Sequence, residues 1–380
     1  MSCFKRYICL TLILACLLIT MPVCSSNPPE NQPHTKIYTD MTGRKVELPT
    51  EIKSVVVVRY MDLNTMAAIL YDEFDDKVVS MGESVAEWDI DNYKKFSEVY
   101  DLDKLVVMSG LTSDSMNVEA MLDLDPDIII VDTYYLKTTC ILKMIEVGLP
   151  VVYMNMNDDP FYGPLESMTM LGDMLGKSDR VAPMIKYSKN KIDTLLERID
   201  ALLAEGAQRP SLYFEFGNKI PSEIGGTRGD IESGWGLLWY RLGADNIGVG
   251  HGLEPLDPEI VLDADPDVIV IGGSNWDQTS NIMRMGYFVT PEEASAHLGE
   301  YVKVRDGWSD LSAIQNKRLH SIHANGQLYP FNFAIYEYMA KILWPEEFSD
   351  IDPQADLEEF FSMYMPVDFS GMFTGQWFGK

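Results

Sequence analysis

Residues 118–131 read VEAMLDLDPDIIIV and residues 258–271 read PEIVLDADPDVIVI, so that Glu119 matches Glu259, Leu122 matches Leu262, Asp123 matches Asp263, and Asp125-Pro126-Asp127 matches Asp265-Pro266-Asp267. Each copy is a short acidic helix, a proline that cannot continue it, and a charge-free run of β-branched residues suited to a strand buried on both faces of a parallel sheet. The interval between the copies is far longer than a solenoid or propeller repeat. It is the size of a domain. The repeat therefore predicts two similar α/β lobes in one chain of 380 residues.

The remaining pattern fills in those lobes. Residues 1–23 carry Lys5 and Arg6 ahead of an apolar run from Tyr7 to Val23, the layout of an export signal and short for a membrane span. Residues 24–35 form a Ser/Asn/Pro-rich tether that begins at Cys24, a candidate for lipidation; cleavage without an anchor and retention of the apolar segment are the alternatives. The N-terminal lobe is expected over 36–164. It opens with a hairpin (36–49, turn at 41–44), followed by strands near 55–58, 77–84, 104–110, 127–135 and 149–155 with helices between them. From 165 to 208 no strand is expected. Leu171, Met174 and Leu175 form one helical stripe, and Ile185, Ile192, Leu195, Leu196, Ile199, Leu202 and Leu203 another. Gly176 and Pro183 interrupt the run, giving a broken or kinked connecting helix. A second α/β lobe is expected over 209–380, with strands near 209–217, 266–274 and 317–326 and a closing helix near 333–343. The fold class is α/β, two lobes with central parallel sheets joined by a long connecting helix.

Composition excludes several functions. A net charge of −28 disfavours nucleic acid, whose phosphates require basic patches; its simplest role is solubility outside the cell. Four of the five cysteines lie in or at the end of the leader, leaving Cys140, a small buried hydrophobe, with no thiolate cluster for a metal. No nucleophile elbow, phosphate-binding glycine loop or zinc-helix pair occurs, so neither an enzyme nor a bound cofactor is expected.

Several stretches in order carry a family resemblance: TDMTGRKVELP (39–49), the doubled E…L…PD before an apolar strand, GLPVVYM (148–154), the connecting helix, RLGADNIG (241–248), LSAIQNKRLHSI (311–322) and LWPEEF (343–348). The chain resembles the helix-backbone (class III) periplasmic substrate-binding proteins of ABC importers for ferric siderophores, haem or cobalamin. The resemblance spans about residues 36–360. It implies two rigid lobes closing slightly on a ligand in the cleft, a monomer, and an ABC permease with its ATPase as partner. It also implies that Glu119 and Glu259 dock into arginine pockets of the permease, for which the Arg–carboxylate fork geometry is suited.

Ligands of open α/β sheets bind beyond the carboxyl ends of the strands. Those positions hold Arg59, Tyr60, Glu83, Trp88, Tyr134 and Tyr135 in the first lobe. In the second they hold Asn218, Thr227, Arg228, Trp235, Asn275, Trp276, Trp308 and Tyr329. Aromatics with arginines suit a large, flat or anionic metal chelate, with Arg59 or Arg228 facing its anionic groups. A bare transition metal would need several converging histidines and carboxylates. His34, His297, His320 and His323 lie in tether, helix or strand positions, leaving His251 as the one histidine placed to reach a ligand. A surface receptor that does not hand its ligand to a permease is a further alternative.

Overall fold

The computed structural model describes residues 35–82, 84–111, 113–276 and 281–379; the leader, Cys24, His34 and Glu83 lie outside them. The chain enters through an antiparallel hairpin, β1 (Thr35–Thr39) and β2 (Lys45–Pro49). The Asp40 carboxylate closes its turn by accepting from the Thr42 and Arg44 amides.

The first sheet contains β3 (Val55–Val57), β4 (Val78–Met81), β5 (Val106–Val107), β6 (Ile128–Asp132) and β7 (Val151–Met154), all parallel, in the order β5-β4-β3-β6-β7. The second contains β8 (Ser211–Phe216), β9 (Asp245–Asn246), β10 (Val268–Gly273), β11 (Leu319–His323) and β12 (Thr374–Gln376), in the order β12-β11-β10-β8-β9. Only β12 runs antiparallel to its neighbour. β9 and β12 are too short and too polar to show a strand pattern in sequence. In each sheet the order reverses beside the founding strand, between β3 and β6 and between β8 and β10. The repeated segments supply β6 and β10, the strands across that reversal, and every residue of both is buried.

Local chemistry explains why the two copies fold alike. Asn117 caps the helix Val118–Leu124 by accepting from the Glu119 and Ala120 amides, and Asp257 caps Pro258–Ala264 by accepting from Glu259. Each helix ends on an aspartate in the left-handed region, Asp125 at φ 46° and Asp265 at φ 42°, a conformation that Asp tolerates better than most residues. Proline follows. The next aspartate ties the strand to its neighbour: Asp127 accepts from the Lys53 and Ser54 amides ahead of β3, and Asp267 accepts from the Ser211 amide and hydroxyl at the head of β8.

Between the sheets run two helices, Gly163–Met174 and Ser178–Ala204. The break falls at Gly176, which has φ 68°. Pro183 does not break the second helix. It stands in the second turn, where the missing N–H affects one intrahelical bond near the end of the ladder, and the 27 residues continue through it. At 1.5 Å per residue this helix is about 40 Å long. Its Arg180 donates to the Ala68 carbonyl beside the first sheet and to the Tyr364 carbonyl of the last helix. Farther along, Lys191 pairs with Asp356 and Tyr187 packs on Phe333 and Phe360. One continuous apolar core consequently contains side chains of both sheets and of this helix. Among the described residues no helix is long and apolar enough to cross a membrane.

Candidate functional site

Segments that follow the carboxyl ends of strands in the two sheets contact each other. Beyond β3 and β6 the expected ligand arginine is instead a structural one. Arg59 is buried, its Nε and Nη2 donate to Asp62 at 3.0 and 2.5 Å, and its Nη2 stands 3.6 Å from Asp132. Burial opposes its charge, but Asp62 and Asp132 outweigh that effect and hold the guanidinium protonated. Asp132 in turn accepts from the Tyr134 and Met156 amides and from Asn157 Nδ2. Asn157 reaches the other lobe, where its carbonyl accepts from the Gly234 amide and its Oδ1 from Gln327 Nε2.

A second bridge between the lobes is more deeply buried. Helix Ile90–Phe96, which follows β4, presents Asp91, whose Oδ2 accepts from the Tyr287 amide at 2.5 Å. The Tyr287 hydroxyl donates to Asn64 Oδ1, Asn64 donates to Asn92, and Asn92 is in contact with the Tyr329 hydroxyl and with Asp89. All of these side chains are buried. Burial raises the Asp91 carboxyl to about 7, despite the pull of the Tyr287 N–H, and raises Asp89 to about 6. Gly286 is required at this contact: its φ is 140°, and a Cβ there would lie 2.2 Å from Asp91 Oδ2.

These contacts redistribute the expected ligand residues. Tyr329 is buried against His323 and Phe331; Trp235 is buried against Phe214 and Trp239; Trp308 is buried on Tyr301; Tyr60 is buried as well. They sit at strand ends in sequence, yet Trp235 and Trp308 pack against rings of their own lobe and Tyr329 meets Asn92 of the other lobe, so they pack the interior. Trp88 (49% exposed) and Tyr134 (69% exposed) remain open on the first lobe, with Tyr135 half-buried in edge contact with Tyr134. On the second lobe Arg228 and Trp276 are half-buried. Phe288, 52% exposed and one residue beyond the Tyr287 bridge, joins them although sequence reasoning passed over it.

Beside the Asp91 bridge lies a cavity of about 230 Å³ lined by Asp91 and Lys94 from the first lobe and by Asn275, Arg284, Glu293 and His297 from the second. Lys94 and Arg284 were also not singled out in the sequence, since nothing local marks two cations nearly two hundred positions apart as partners. The histidines do not converge. His320 and His323 are buried and pushed down to about 3 by that burial, and His251 is exposed. Among the described residues no three of His, Cys, Asp and Glu gather as a metal-holding set. Cys140 is buried.

Glu119 and Glu259 are exposed on the first turns of their helices, and neither has an ion-pair partner among the described residues.

Two mainly parallel sheets joined through one long helix are the architecture that the resemblance implied. The chain belongs to the periplasmic binding protein family, whose model matches residues 67–325. It is a periplasmic binding protein of the ABC-transporter type and not an enzyme. It is similar to the crystal structure of the TroA-like periplasmic binding protein FepB from Veillonella parvula, with 30% identity and a TM-score of 0.83 over 90% of this chain and 99% of that one. It is also similar to the molybdate-binding protein MolA of Haemophilus influenzae, 21% identical over 93% of this chain and 95% of that protein. A cobalamin-binding protein of Halobacterium salinarum is 23% identical over 54% of this chain and 56% of its own length.

Proposed function

We propose that this receptor binds an iron-type metal chelate, a siderophore or a tetrapyrrole such as haem or cobalamin, in the interlobe cleft and delivers it to its permease. The observation that carries the reading is the set of solvent-facing aromatics beyond the strand ends, Trp88 and Tyr134 on one lobe and Phe288 on the other. Flat π surfaces exposed on both sides of a cleft suit a large chelate, which gains from stacking. Tyr135, Trp276 and Arg228, half-buried at the same ends, would complete the contact. The cobalamin-binding relative supports this ligand class. Cys24 would anchor the exported chain to the outer face of the cytoplasmic membrane, and Glu119 and Glu259 would dock it on the permease.

The test is a tryptophan fluorescence titration against ferric siderophores, haemin, cyanocobalamin and bare divalent ions, repeated with Trp88→Phe and Trp276→Phe. A chelate should quench the wild type, with a smaller response in one or both variants. Tight binding of a bare ion with no response to any chelate would overturn the reading and turn attention to His251.

A further inference from the structure

The helices Asn332–Leu343 and Pro353–Tyr364 lie beyond the residues that the family model matches, and both pack on the long helix Ser178–Ala204. Glu337 stands in the seam between the three. Its Oε2 is buried without a hydrogen-bond partner, and its Oε1 lies 3.7 Å from Lys191 Nζ, too far for a hydrogen bond. Lys191, on the long helix, instead donates to Asp356 of the last helix. The other polar groups facing the seam have partners. Tyr187 of the long helix donates to Glu359 of the last, and Lys341, on the same helix as Glu337, donates to the Ile351 carbonyl.

The seam therefore sets two carboxyl groups against one lysine. Glu337 is the deeper of the two, its side chain 5% exposed against 20% for Asp356. With both ionised, the seam would hold a buried negative charge with no cation of its own and an acceptor with no donor, each of them costly. A proton on Glu337 Oε2 removes the charge and turns the orphaned oxygen into a donor, with the neighbouring Asp356 carboxylate to accept from it. Two carboxyl groups at one site cannot both ionise freely. In keeping with that geometry, burial, opposed by Lys191 and reinforced by Asp356, raises the Glu337 carboxyl to about 8.

We propose that Glu337 and Asp356 share one proton, and that this proton fastens the last helix to the helix joining the two sheets as a pH-sensitive catch. Lys191 holds Asp356 from one side and protonated Glu337 holds it from the other, so a single chain of contacts ties three helices. When the last helix lifts, Glu337 meets water and gives up its proton to solvent. Because the folded pKa lies above the free carboxyl value, the stabilisation is complete below about pH 4, declines as pH rises, and is gone by about pH 8. Release would reach the first lobe as well, since Arg180 donates both to the Tyr364 carbonyl at the end of the last helix and to the Ala68 carbonyl beside the first sheet. The catch does not depend on what the ligand is.

Hydrogen exchange of the full chain, followed by mass spectrometry from pH 6 to pH 9.5 and corrected for the intrinsic exchange rate, reads the catch in residues 353–364. Between pH 6 and pH 8 protection there should fall at least about tenfold more in wild type than in Glu337→Gln, and wild type should level off above pH 8. At pH 6.5 the infrared spectrum of wild type should contain a neutral carboxylic-acid carbonyl band that Glu337→Gln lacks. Asp356→Asn frees Lys191 for Glu337 and should move the levelling-off to lower pH by about one unit or more; this variant decides the matter if Glu337→Gln does not fold. The same fall of protection in wild type and Glu337→Gln, an unchanged carboxylic-acid band in Glu337→Gln, or an unmoved levelling-off in Asp356→Asn overturns the proposal.

Discussion

Replacing Arg305 with methionine should destabilise the second lobe strongly. Arg305 donates from Nη1 to Glu215 Oε2 at 2.7 Å and from Nη2 to Oε1 at 2.8 Å, and both side chains are buried. Glu215 also accepts from the Tyr213 hydroxyl and the Gly225 amide, each at 2.8 Å. Its carboxylate would keep those two donors but lose its only counter-charge among the described residues. Removing one partner of a buried pair costs about 3–5 kcal/mol, because the other charge is left uncompensated. With an unfolding entropy of ~2.1 cal/mol/K per residue, a folded unit of roughly 350 residues shifts by about 1.4 °C per kcal/mol, so melting should drop by about 4–7 °C. Arg305 also donates to the Pro221 and Glu223 carbonyls and lies over the Tyr301 and Trp308 rings. Amide exchange should therefore accelerate in residues 218–230, the segment that carries Arg228. Differential scanning calorimetry of Arg305→Met, and of the same change with Glu215→Gln, reads the effect; the second replacement should recover part of the loss by removing the stranded charge. A melting point within ~1 °C of wild type for Arg305→Met would refute the argument, since a pair that cheap to break is not holding a buried charge.

Changing Glu119 and Glu259 together to alanine should leave ligand affinity within a few-fold and abolish stimulation of the transporter's ATPase, read in reconstituted vesicles; a well-folded double mutant that lost ligand binding would place the two glutamates at the wrong surface. Asp91 makes stability depend on pH. Its folded pKa of about 7 lies above the unfolded carboxyl value, so the folded state holds the proton, and the stabilisation present below about pH 4 is lost as pH rises to about 7. The charged groups around it are Asp89 and Lys94 on its own helix and Arg284, Glu293 and His297 across the cavity, with the Tyr287 and Phe288 amides against the carboxylate. Melting measured from pH 4.5 to pH 8 should decline less steeply in Asp91→Asn than in wild type, and identical slopes would show that the carboxyl stays ionised throughout.

How much of this molecule could be read from its residues depends on the range of the interactions involved. The paired helices and strands of the repeat were legible because their causes are local: a capping side chain two residues from the amide it accepts, an aspartate that tolerates the left-handed turn, a proline, and a β-branched run. The break at Gly176 was legible for the same reason. Pro183 was misread because a proline in the second turn looks the same in sequence whether or not a long helix runs on beyond it.

The ligand residues divide along the same line. A position at the carboxyl end of a strand says where a side chain begins, not what comes to cover it, and Trp235, Trp308, Tyr329, Tyr60 and Arg59 reach the ends of strands only to be buried. Arg59 is enclosed by Asp62 and Asp132, and Trp235 and Trp308 by rings of their own lobe, whereas Tyr329 was covered when the lobes met, through contacts such as Asp91 to Tyr287 across 196 residues of chain and Asn92 to Tyr329 across 237. Neither member of such a pair carries a local mark of the other, because hydrogen bonding and charge act over a few ångströms in space and are indifferent to distance along the chain. The repeat, the two sheets and the helix between them were set by the sequence read locally; the composition of the cleft and the cation pair at its edge were set only by the folded whole.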